Sequence, residues 1–406
     1  MDLGGLPGEL LTEIARRLPC PADLIALTAA LRRPIAPPAP RPALPWLLVP
    51  HYSPPVLAPG EARTAMFVCI GCGGPHHLRV PEEFAAGRFF GSYPPGWVFL
   101  AGAQASNHAL INLYTRTRLL IPDFLTMTGD ATRQPRQMVM VAAALSAEPL
   151  APGKACFGAA IVHGLGGAPV FALWALVRAA RHERPVAHGF HVTVGEGAGA
   201  GHQQLFLEDV AYHRGAFYFL TSQEQLVAVH VVEGSGRLLA RQQLIEHRRP
   251  ANPQGLLVSG RYLLASRGGW AMVVRYHWPP LPDDREPGPA RRLTMYRGDI
   301  HDGEAFTTWT ELHPESLQGL LVFAARGCSR LIEDPSGLHN LPAGVRYLDD
   351  CDAGDMDMIY QENPNLRKYR CSDTCGFGLP PAAIHFYATW VNYPPSSYSS
   401  PIWFFP

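Results

Sequence analysis

From Trp46 to the C-terminus, short apolar runs alternate with polar residues and are separated by turn-forming glycines. Alternation with a period of two is typical of β-strands, and glycine-containing breaks are typical of hairpin turns. The strand-like segments include TAMFVCI, HHLRV, GWVFLAG, HALINLY, QMVMVAAAL, RLTMYRGDI, GLLVFAARG and VRYLDD. The pattern therefore predicts a domain that is almost entirely β.

Two longer stretches predict groups of hairpins. Three strands are expected in VAYHRGAFYFLTSQEQLVAVHVV, with turns at Arg214-Gly215 and near Ser222-Gln223. Two or three are expected in LLVSGRYLLASRGGWAMVVRYHW, with turns at Ser259-Gly260 and Arg267-Gly268-Gly269. Strands at intervals of about 8–12 residues favour a sandwich, barrel or propeller. A β-region of about 350 residues is longer than one sandwich usually needs, and a propeller accommodates this length by repeating four-stranded blades. Without a clear internal repeat, the blade number stays open.

Aromatic residues on these strands are expected to form much of the core, because each can bury a large area beside its apolar neighbours. We predict mostly buried strand positions for Trp97, Tyr212, Phe217, Phe219, Trp270 and Trp309.

The N-terminal pattern is different and has a helical period. Apolar residues recur between Leu10 and Leu18 and again between Leu24 and Leu31, which predicts two short amphipathic helices. Prolines end both helices, and PIAPPAPRPALP is expected to be extended. We divide the chain into a helical segment, 1–35, a proline-rich linker, 36–45, and a propeller-like β domain, 46–406. The linker is expected to isolate the helices from the β domain.

The run Ala155–Val177 has no charged residue and is long enough to span a bilayer. Its centre, HGLGGAP, disfavours a helix and favours a turn. We therefore predict a buried strand pair with its turn near Gly164–Ala168, and no membrane association.

Composition narrows the function classes. Lys+Arg and Asp+Glu are equal at 34 each, so no electrostatic footprint points to nucleic acid or an anionic membrane. The 39 glycines and 40 prolines suit a turn-rich β protein. Eight scattered cysteines are not a disulfide scaffold, and MDLGGLPGEL does not resemble a secretory signal. The expected location is the cytoplasm or nucleus.

Several stretches carry a resemblance to a known family. LPGELLTEIARRLPCPADL resembles the F-box, a helical motif that docks on the adaptor Skp1 in cullin-based ubiquitin ligases. LPWLLVP, FFGSYPPGWVFL, ALINLYTRTRLLIP, FLEDVAYHRGAFYFLT, GCSRL with GVRYLDD, and PIWFFP are similar in order to the plant family in which an F-box precedes a domain of unknown function 295. The resemblance implies a β-propeller preceded by a helical docking motif.

What the resemblance implies for function is a substrate receptor without catalytic residues. A Skp1-like adaptor, and through it a cullin, would bind the helices, while an unknown target protein would bind the propeller. The implied adaptor-binding residues are Leu6, Pro7, Leu10, Leu11, Ile14, Leu18, Leu24 and Leu27. Leu10 and Leu11 are adjacent, so they are expected to point in different directions.

The sequence departs from the family where the third F-box helix belongs. Leu31, Arg32 and Pro34 replace the usual residues there, and a proline within a helix costs about 3 kcal/mol or more. The alternative is therefore a stand-alone propeller binding module whose degenerate F-box no longer binds an adaptor. A propeller enzyme would instead need a polar cluster with perturbed pKa values at the central channel.

Metal and cofactor motifs receive weaker support. Cys69, Cys72, His76 and His77 have the outline of a zinc site, but the stretch also fits a hairpin, which we favour. Cys371 and Cys375 are not spaced as a zinc pair. No metal or cofactor is expected.

Two further motifs are assigned to loops. GEGAGAG, Gly195–Gly201, lacks the last glycine of a dinucleotide loop and is expected to be an interstrand loop. The acidic run of Asp349, Asp350, Asp352, Asp355 and Asp357 is expected to be a solvated strand end. The sequence shows no nucleophile elbow and no H-E-x-x-H motif, so no enzyme activity is predicted.

Overall fold

The structure is a computed structural model. It describes residues 7–17, 20, 44–50, 64–71, 73–81, 84, 86–132, 134–163, 170–176, 185, 187–192, 206–234, 237–245, 255–277, 292–299, 308–334, 341–348, 350–371, 375–378 and 395–406.

The described β-strands form six sheets, one for each blade of a β-propeller. The first three blades contain fourteen described strands. Blade 1 consists of β1 (Trp46–Val49), β2 (Thr64–Cys69), β3 (Pro75–Arg79) and the closing strand β26 (Ile402–Phe404). Blade 2 consists of β4 (Arg88–Tyr93), β5 (Trp97–Ala101), β6 (His108–Asn112) and β7 (Arg118–Leu120). Blade 3 consists of β8 (Phe124–Met127), β9 (Arg136–Gln137), β10 (Val139–Leu145), β11 (Cys156–His163), β12 (Val170–Leu176) and β13 (Ala187–His191).

The remaining three blades have four described strands each. They are β14 (Leu207–His213), β15 (Ala216–Thr221), β16 (Leu226–Gly234) and β17 (Arg237–Ile245) in blade 4; β18 (Leu257–Ser266), β19 (Gly269–His277), β20 (Arg292–Asp299) and β21 (Thr310–Glu311) in blade 5; β22 (Leu320–Ala324), β23 (Arg330–Glu333), β24 (Gly344–Tyr347) and β25 (Cys375–Gly378) in blade 6. The mainly β, propeller fold class is confirmed.

The described helices are short and few. They are α1 (Gly8–Arg17), α2 (Met356–Tyr360) and the 3-10 helices Pro314–Leu317 and Cys351–Gly354. No helix among the described residues is both long enough and apolar enough to cross a membrane.

The ring is closed by pairing its two ends. β26, near the C-terminus, pairs antiparallel with β1, so that Trp46 lies opposite Phe404. The preceding residue of β26, Trp403, reaches blade 6, where its ring lies 5.2 Å from that of Phe323 and its indole N–H donates to the carbonyl of Ala324. Blade 1 is thus built from both ends of the β domain and packs on the last blade.

One edge strand of each sheet faces the axis. β26, β4, β10, β14, β18 and β23 lie at the ends of their sheets, and successive members contact each other from β26 through to β23. The packing between blades is apolar, as the burial of Val98, Val139 and Val210 illustrates. The hydrophobic effect therefore holds the blades side by side.

Most of the predicted hairpins are present. β14, β15 and β16 follow each other as expected, and Arg214 and Gly215 adopt φ values of 46° and 89°. Positive φ at both turn positions matches the right-handed twist of the flanking strands.

The turn predicted at Ser259-Gly260 is wrong. β18 continues through both residues, and the register with β19 shifts between Val258 and Gly260. A glycine inside a strand marks a bulge as readily as a turn, and periodicity does not separate the two.

The apolar run Ala155–Val177 forms the predicted strand pair. β11 and β12 are antiparallel, with Val162 opposite Val170. The predicted turn residues, 164–169, lie outside the described residues. The outer strands of this sheet were missed: β8 and β9 join beyond β13, and β8 is parallel to β13.

Five of the six predicted core aromatics are buried, namely Trp97, Phe217, Phe219, Trp270 and Trp309. Tyr212 is half-buried. Trp309 lies immediately before β21 rather than on it, and its indole N–H donates to the carbonyl of Glu224.

Candidate functional site

The helix α1 carries the described part of the predicted docking surface. Its apolar residues recur at helical spacing, and its amide ladder begins where Leu11 N–H donates to the carbonyl of Pro7. Leu10 is 52% exposed and Ile14 is 37% exposed, while Leu11 is only 2% exposed. Since residues four apart share a helix face, Leu10 and Ile14 form one exposed apolar surface, and Leu11, about 100° around the helix from Leu10, is buried at the edge of that surface.

The other predicted adaptor-binding residues are only partly described. Pro7 is exposed at the start of α1. Leu6, Leu18, Leu24 and Leu27 lie outside the described residues. The structure therefore brings together Leu10 and Ile14 from the predicted set.

The helical segment is in contact with the β domain, so the expectation that the linker isolates it is wrong. Cys20 is 1% exposed and belongs to the same apolar cluster as Trp46 and Phe67 of blade 1. Its Sγ lies 3.2 Å from Nε2 of His76 on β3. A linker rich in proline is extended, but it does not prevent the segment that precedes it from folding back on the blade.

A second candidate region lies at the propeller axis. The turn between β22 and β23 enters the centre, where the N–H of Gly327 donates to Asp209 and its carbonyl accepts from Ser92 N–H. Gly327 has a φ of +66°, and an added Cβ would lie 2.7 Å from the carbonyl oxygen of Phe90. Only glycine fits this turn between blades 2, 3 and 4.

Asp209 joins three blades. It lies on β14 of blade 4, and its carboxylate accepts from Leu263 N–H of blade 5 at 2.8 Å and from Gly327 N–H of blade 6 at 2.9 Å. Burial raises the pKa of the Asp209 carboxyl to about 7, although three backbone N–H groups oppose the shift by stabilising the anion.

Asp350 lies close by and is also buried. It accepts from the Tyr262 hydroxyl at 2.7 Å and from Arg326 N–H at 2.9 Å, and its carboxylate lies 3.6 Å from the guanidinium of Arg275. Burial raises the pKa of Tyr262 well above its usual value. We call Asp209, Tyr262, Arg275, Gly327 and Asp350 the axial cluster.

Arg275 connects the cluster to the following chain. Its guanidinium donates to the carbonyl of Leu348 at 2.8 Å and to the hydroxyl of Ser259 at 3.0 Å, and it also contacts the Cys351 sulfur. Because its partners lie on blade 5 and just after β24, this cation holds two neighbouring blades together.

The expectation that the acidic run is a solvated strand end is wrong for three of its residues, Asp350, Asp352 and Asp355. Asp350 is 3% exposed, and Asp352 is paired with Arg370 at 2.8 Å. Asp355 caps α2 by accepting from two of its backbone N–H groups. Each of these three carboxylates has a specific donor, which is what allows acidic residues to leave solvent. Asp357 is exposed, and Asp349 lies outside the described residues.

Residues 351–371, which we call the capping segment, follow the axial cluster and cover it. Ile359 of α2 belongs to an apolar cluster with Val141 of β10 and Val210 of β14, and the Tyr369 hydroxyl donates to the Gln104 side chain of blade 2. The axial cluster is thus closed on this side, and its carboxylates are engaged by protein donors. Such an arrangement fixes the blades relative to one another.

Sequence reasoning missed the axial cluster. In the sequence, Asp209 lies in a stretch that resembles the family, and Arg275 lies in a predicted strand, and neither pattern indicates that the two residues meet. The available signal was a charged residue within an otherwise apolar strand, as in WAMVVRYHW, because a buried polar residue is more informative than an exposed one.

The remaining motifs can be placed in part. Cys69 and Gly74 close the predicted hairpin, with Gly73 N–H donating to the carbonyl of Cys69. Cys72 and Gly195–Gly201 lie outside the described residues.

Comparison with known proteins identifies the β domain. Residues 69–360 match the model of the KIB1-4 beta-propeller family. No curated protein sequence matches the chain. Among solved structures, the major Malassezia sympodialis allergen Mala s 1 is similar over 64% of this chain and 82% of that chain, at 13% identity and a TM-score of 0.28. The family match covers more than two thirds of the chain and all the described strands of blades 2 to 5, so the chain belongs to the KIB1-4 beta-propeller family.

Proposed function

We propose that the chain is the F-box substrate-receptor subunit of a Skp1–cullin–F-box ubiquitin ligase, related to the plant F-box proteins with a domain of unknown function 295. Its N-terminal helices bind a Skp1-like adaptor, and its propeller binds a target protein. The protein acts in the cytoplasm or nucleus. The ligase chemistry belongs to other subunits, and this chain supplies proximity and orientation.

The observation that supports the adaptor role most directly is the exposed face of α1. Two aliphatic side chains, Leu10 and Ile14, remain exposed on a helix that is anchored by the buried Leu11. An amphipathic helix that docks on a partner uses such i, i+4 anchors. The rigid ring of six blades supports the second role, because loops on a fixed scaffold make a defined binding surface.

Capture of a purified Skp1-like adaptor by the full-length chain tests the proposal. We expect micromolar or tighter binding by the unmutated chain. Each anchor is worth about 1.5–3 kcal/mol when fully buried, so Leu10→Glu with Ile14→Glu should weaken binding at least roughly a hundredfold. Leu11 is unsuitable for this test because it is buried, and a charge there would disturb the fold.

Leu366→Glu is the matched control. Leu366 is 60% exposed on the capping segment, so the same substitution places a charge on the propeller and away from α1. Adaptor binding should be unchanged in this variant. If the unmutated chain does not capture the adaptor, the F-box role is wrong and the stand-alone propeller module is the better interpretation, in agreement with Pro34 at the place of the third helix.

A further inference from the structure

Three potential metal ligands converge where the N-terminal segment meets blade 1. The Sγ atoms of Cys20 and Cys69 and a ring nitrogen of His76 all lie within 4.8 Å of one another. Cys20 and Cys69 are each 1% exposed, and His76 is half-buried. These residues come from three separate parts of the chain, so their convergence is a product of the tertiary fold.

The register of blade 1 accounts for two of the three ligands. Trp46 lies opposite Cys69, and Phe67 lies opposite His76. Because Phe67 and Cys69 are two residues apart on β2, Cys69 and His76 are on the same face of the sheet. Stacking on Trp46, with ring centroids 5.1 Å apart, fixes the orientation of the imidazole.

Cys20 completes the cluster from outside the sheet. Its Sγ lies 3.2 Å from Nε2 of His76, which places the thiol of the helical segment directly above the blade. Zinc is bound at about 2.3 Å by cysteine sulfur and about 2.0–2.1 Å by histidine nitrogen, so tetrahedral ligands stand about 3.5–3.8 Å apart. The longest separation in the cluster, at most 4.8 Å, therefore needs to shorten by no more than about 1.3 Å to hold the ion.

We propose that Cys20, Cys69 and His76 form a structural zinc site that fastens the N-terminal segment to blade 1. Thiolate and imidazole ligands favour zinc over magnesium or calcium, which prefer oxygen. Two thiolates neutralise the double charge of the ion, so the occupied site carries no net charge and suits a buried location. The fourth position of the tetrahedron is left for a water molecule.

The proposed zinc ligands differ from the four residues that sequence spacing suggested. Spacing alone pointed to Cys69, Cys72, His76 and His77, whereas His77 lies opposite Met66, on the other face of the sheet, and is exposed. Sequence spacing did not identify Cys20 as a ligand, because Cys20 lies in the helical segment and is distant from Cys69 in the sequence. The proposal does not depend on adaptor binding.

The test is the metal content of the full-length chain, purified under reducing conditions without a histidine tag. We expect one zinc ion per chain by elemental mass spectrometry. Replacement of zinc by cobalt should produce the thiolate-to-metal charge-transfer band and the visible bands of tetrahedral cobalt. Removal of zinc by a chelator should lower the thermal midpoint, and added zinc should restore it.

Cys20→Ser and His76→Ala should each weaken zinc binding at least roughly a hundredfold, since even an outer-shell partner of a metal is worth 10–100-fold. His77→Ala and Cys371→Ser are the matched controls. His77 is the neighbour on the other face of β3, and Cys371 is a buried thiol that donates to the Tyr369 carbonyl. Both controls should keep one zinc ion.

The proposal is overturned if the unmutated chain has no stoichiometric zinc after equilibration with micromolar zinc. It is equally overturned if Cys20 and Cys69 form a disulfide in the reduced preparation, or if Cys20→Ser and His76→Ala keep the ion.

Discussion

The propeller axis and the helix α1 break the usual distribution of polar and apolar residues in opposite ways. The axis buries Asp209 and Asp350, and α1 exposes Leu10 and Ile14. At the axis each carboxylate accepts from a named donor, whereas on α1 two aliphatic side chains of one face remain open to solvent. Burial with partners indicates a structural role, whereas the exposed side chains of α1 are the anchors of the adaptor binding that we propose.

The comparison also separates stability from binding. Removing a buried acceptor leaves its donors unsatisfied, so changes at the axis are expected to lower the free energy of unfolding. An exposed leucine contributes little buried area to the fold, so changes on α1 are expected to weaken adaptor binding and to leave the free energy of unfolding nearly unchanged.

The largest effect is expected from Asp209→Ala. The substitution leaves the N–H groups of Leu263 and Gly327 without their acceptor, and the free energy of unfolding should fall by about 3–5 kcal/mol. Urea unfolding followed by tryptophan fluorescence measures the change. Asp357→Ala is the control, since Asp357 is exposed, and its midpoint should match the unmutated chain. Equal midpoints for both variants would contradict a structural role for the axial cluster.

Tyr262→Phe should have a smaller effect. It removes the hydroxyl that donates to Asp350 at 2.7 Å and keeps the buried ring, so a loss of about 1.5–3 kcal/mol is expected. Tyr360→Phe, at a residue that is 57% exposed, should be neutral in the same unfolding assay. A neutral result for Tyr262→Phe would mean that Asp350 does not need this donor.

The pH dependence of stability sharpens the assignment at the axis. The folded-state pKa of Asp209, about 7, is above its ordinary value of 3.8, so the folded state binds more protons between these two values. Stability from this group is therefore greatest below about pH 4 and declines as pH rises towards 7, by at most about 1.4 kcal/mol per pH unit.

Comparison of the unmutated chain with Asp209→Asn between pH 5 and 8 isolates this effect, because other titrating groups are common to both. The stability advantage of the unmutated chain should shrink as pH rises and level off above 7. A difference that does not change with pH would show that Asp209 titrates near its ordinary pKa.

The smallest effect on stability is expected on α1. Leu10→Ala with Ile14→Ala should change the free energy of unfolding by no more than about 0.5 kcal/mol, because both side chains are exposed. Thermal unfolding checks this, with the buried Leu11→Ala as the contrasting variant. A marked loss of stability in the double variant would place Leu10 and Ile14 in a folded contact and remove the distinction between α1 and the axis.

The sequence by itself determined the strands and the helix, in which apolar residues recur every two or every three to four positions. Alternation predicted the hairpins of blades 2, 4 and 5, and the i, i+4 spacing of Leu10 and Ile14 predicted one face of α1. Charge-free composition and a glycine-rich centre correctly indicated a strand pair within Ala155–Val177. These features are local, because each depends only on residues that are neighbours along one strand or helix.

Only the tertiary structure decided which distant residues meet. The pairing of β26 with β1, the number of blades and the parallel contact of β8 with β13 join segments whose partners no local period specifies. The same holds for Asp209 with Gly327, and for Cys20 with His76. Asp350 looked like a solvated acid because acidity predicts exposure until a phenol and a backbone N–H from other parts of the chain supply its hydrogen bonds.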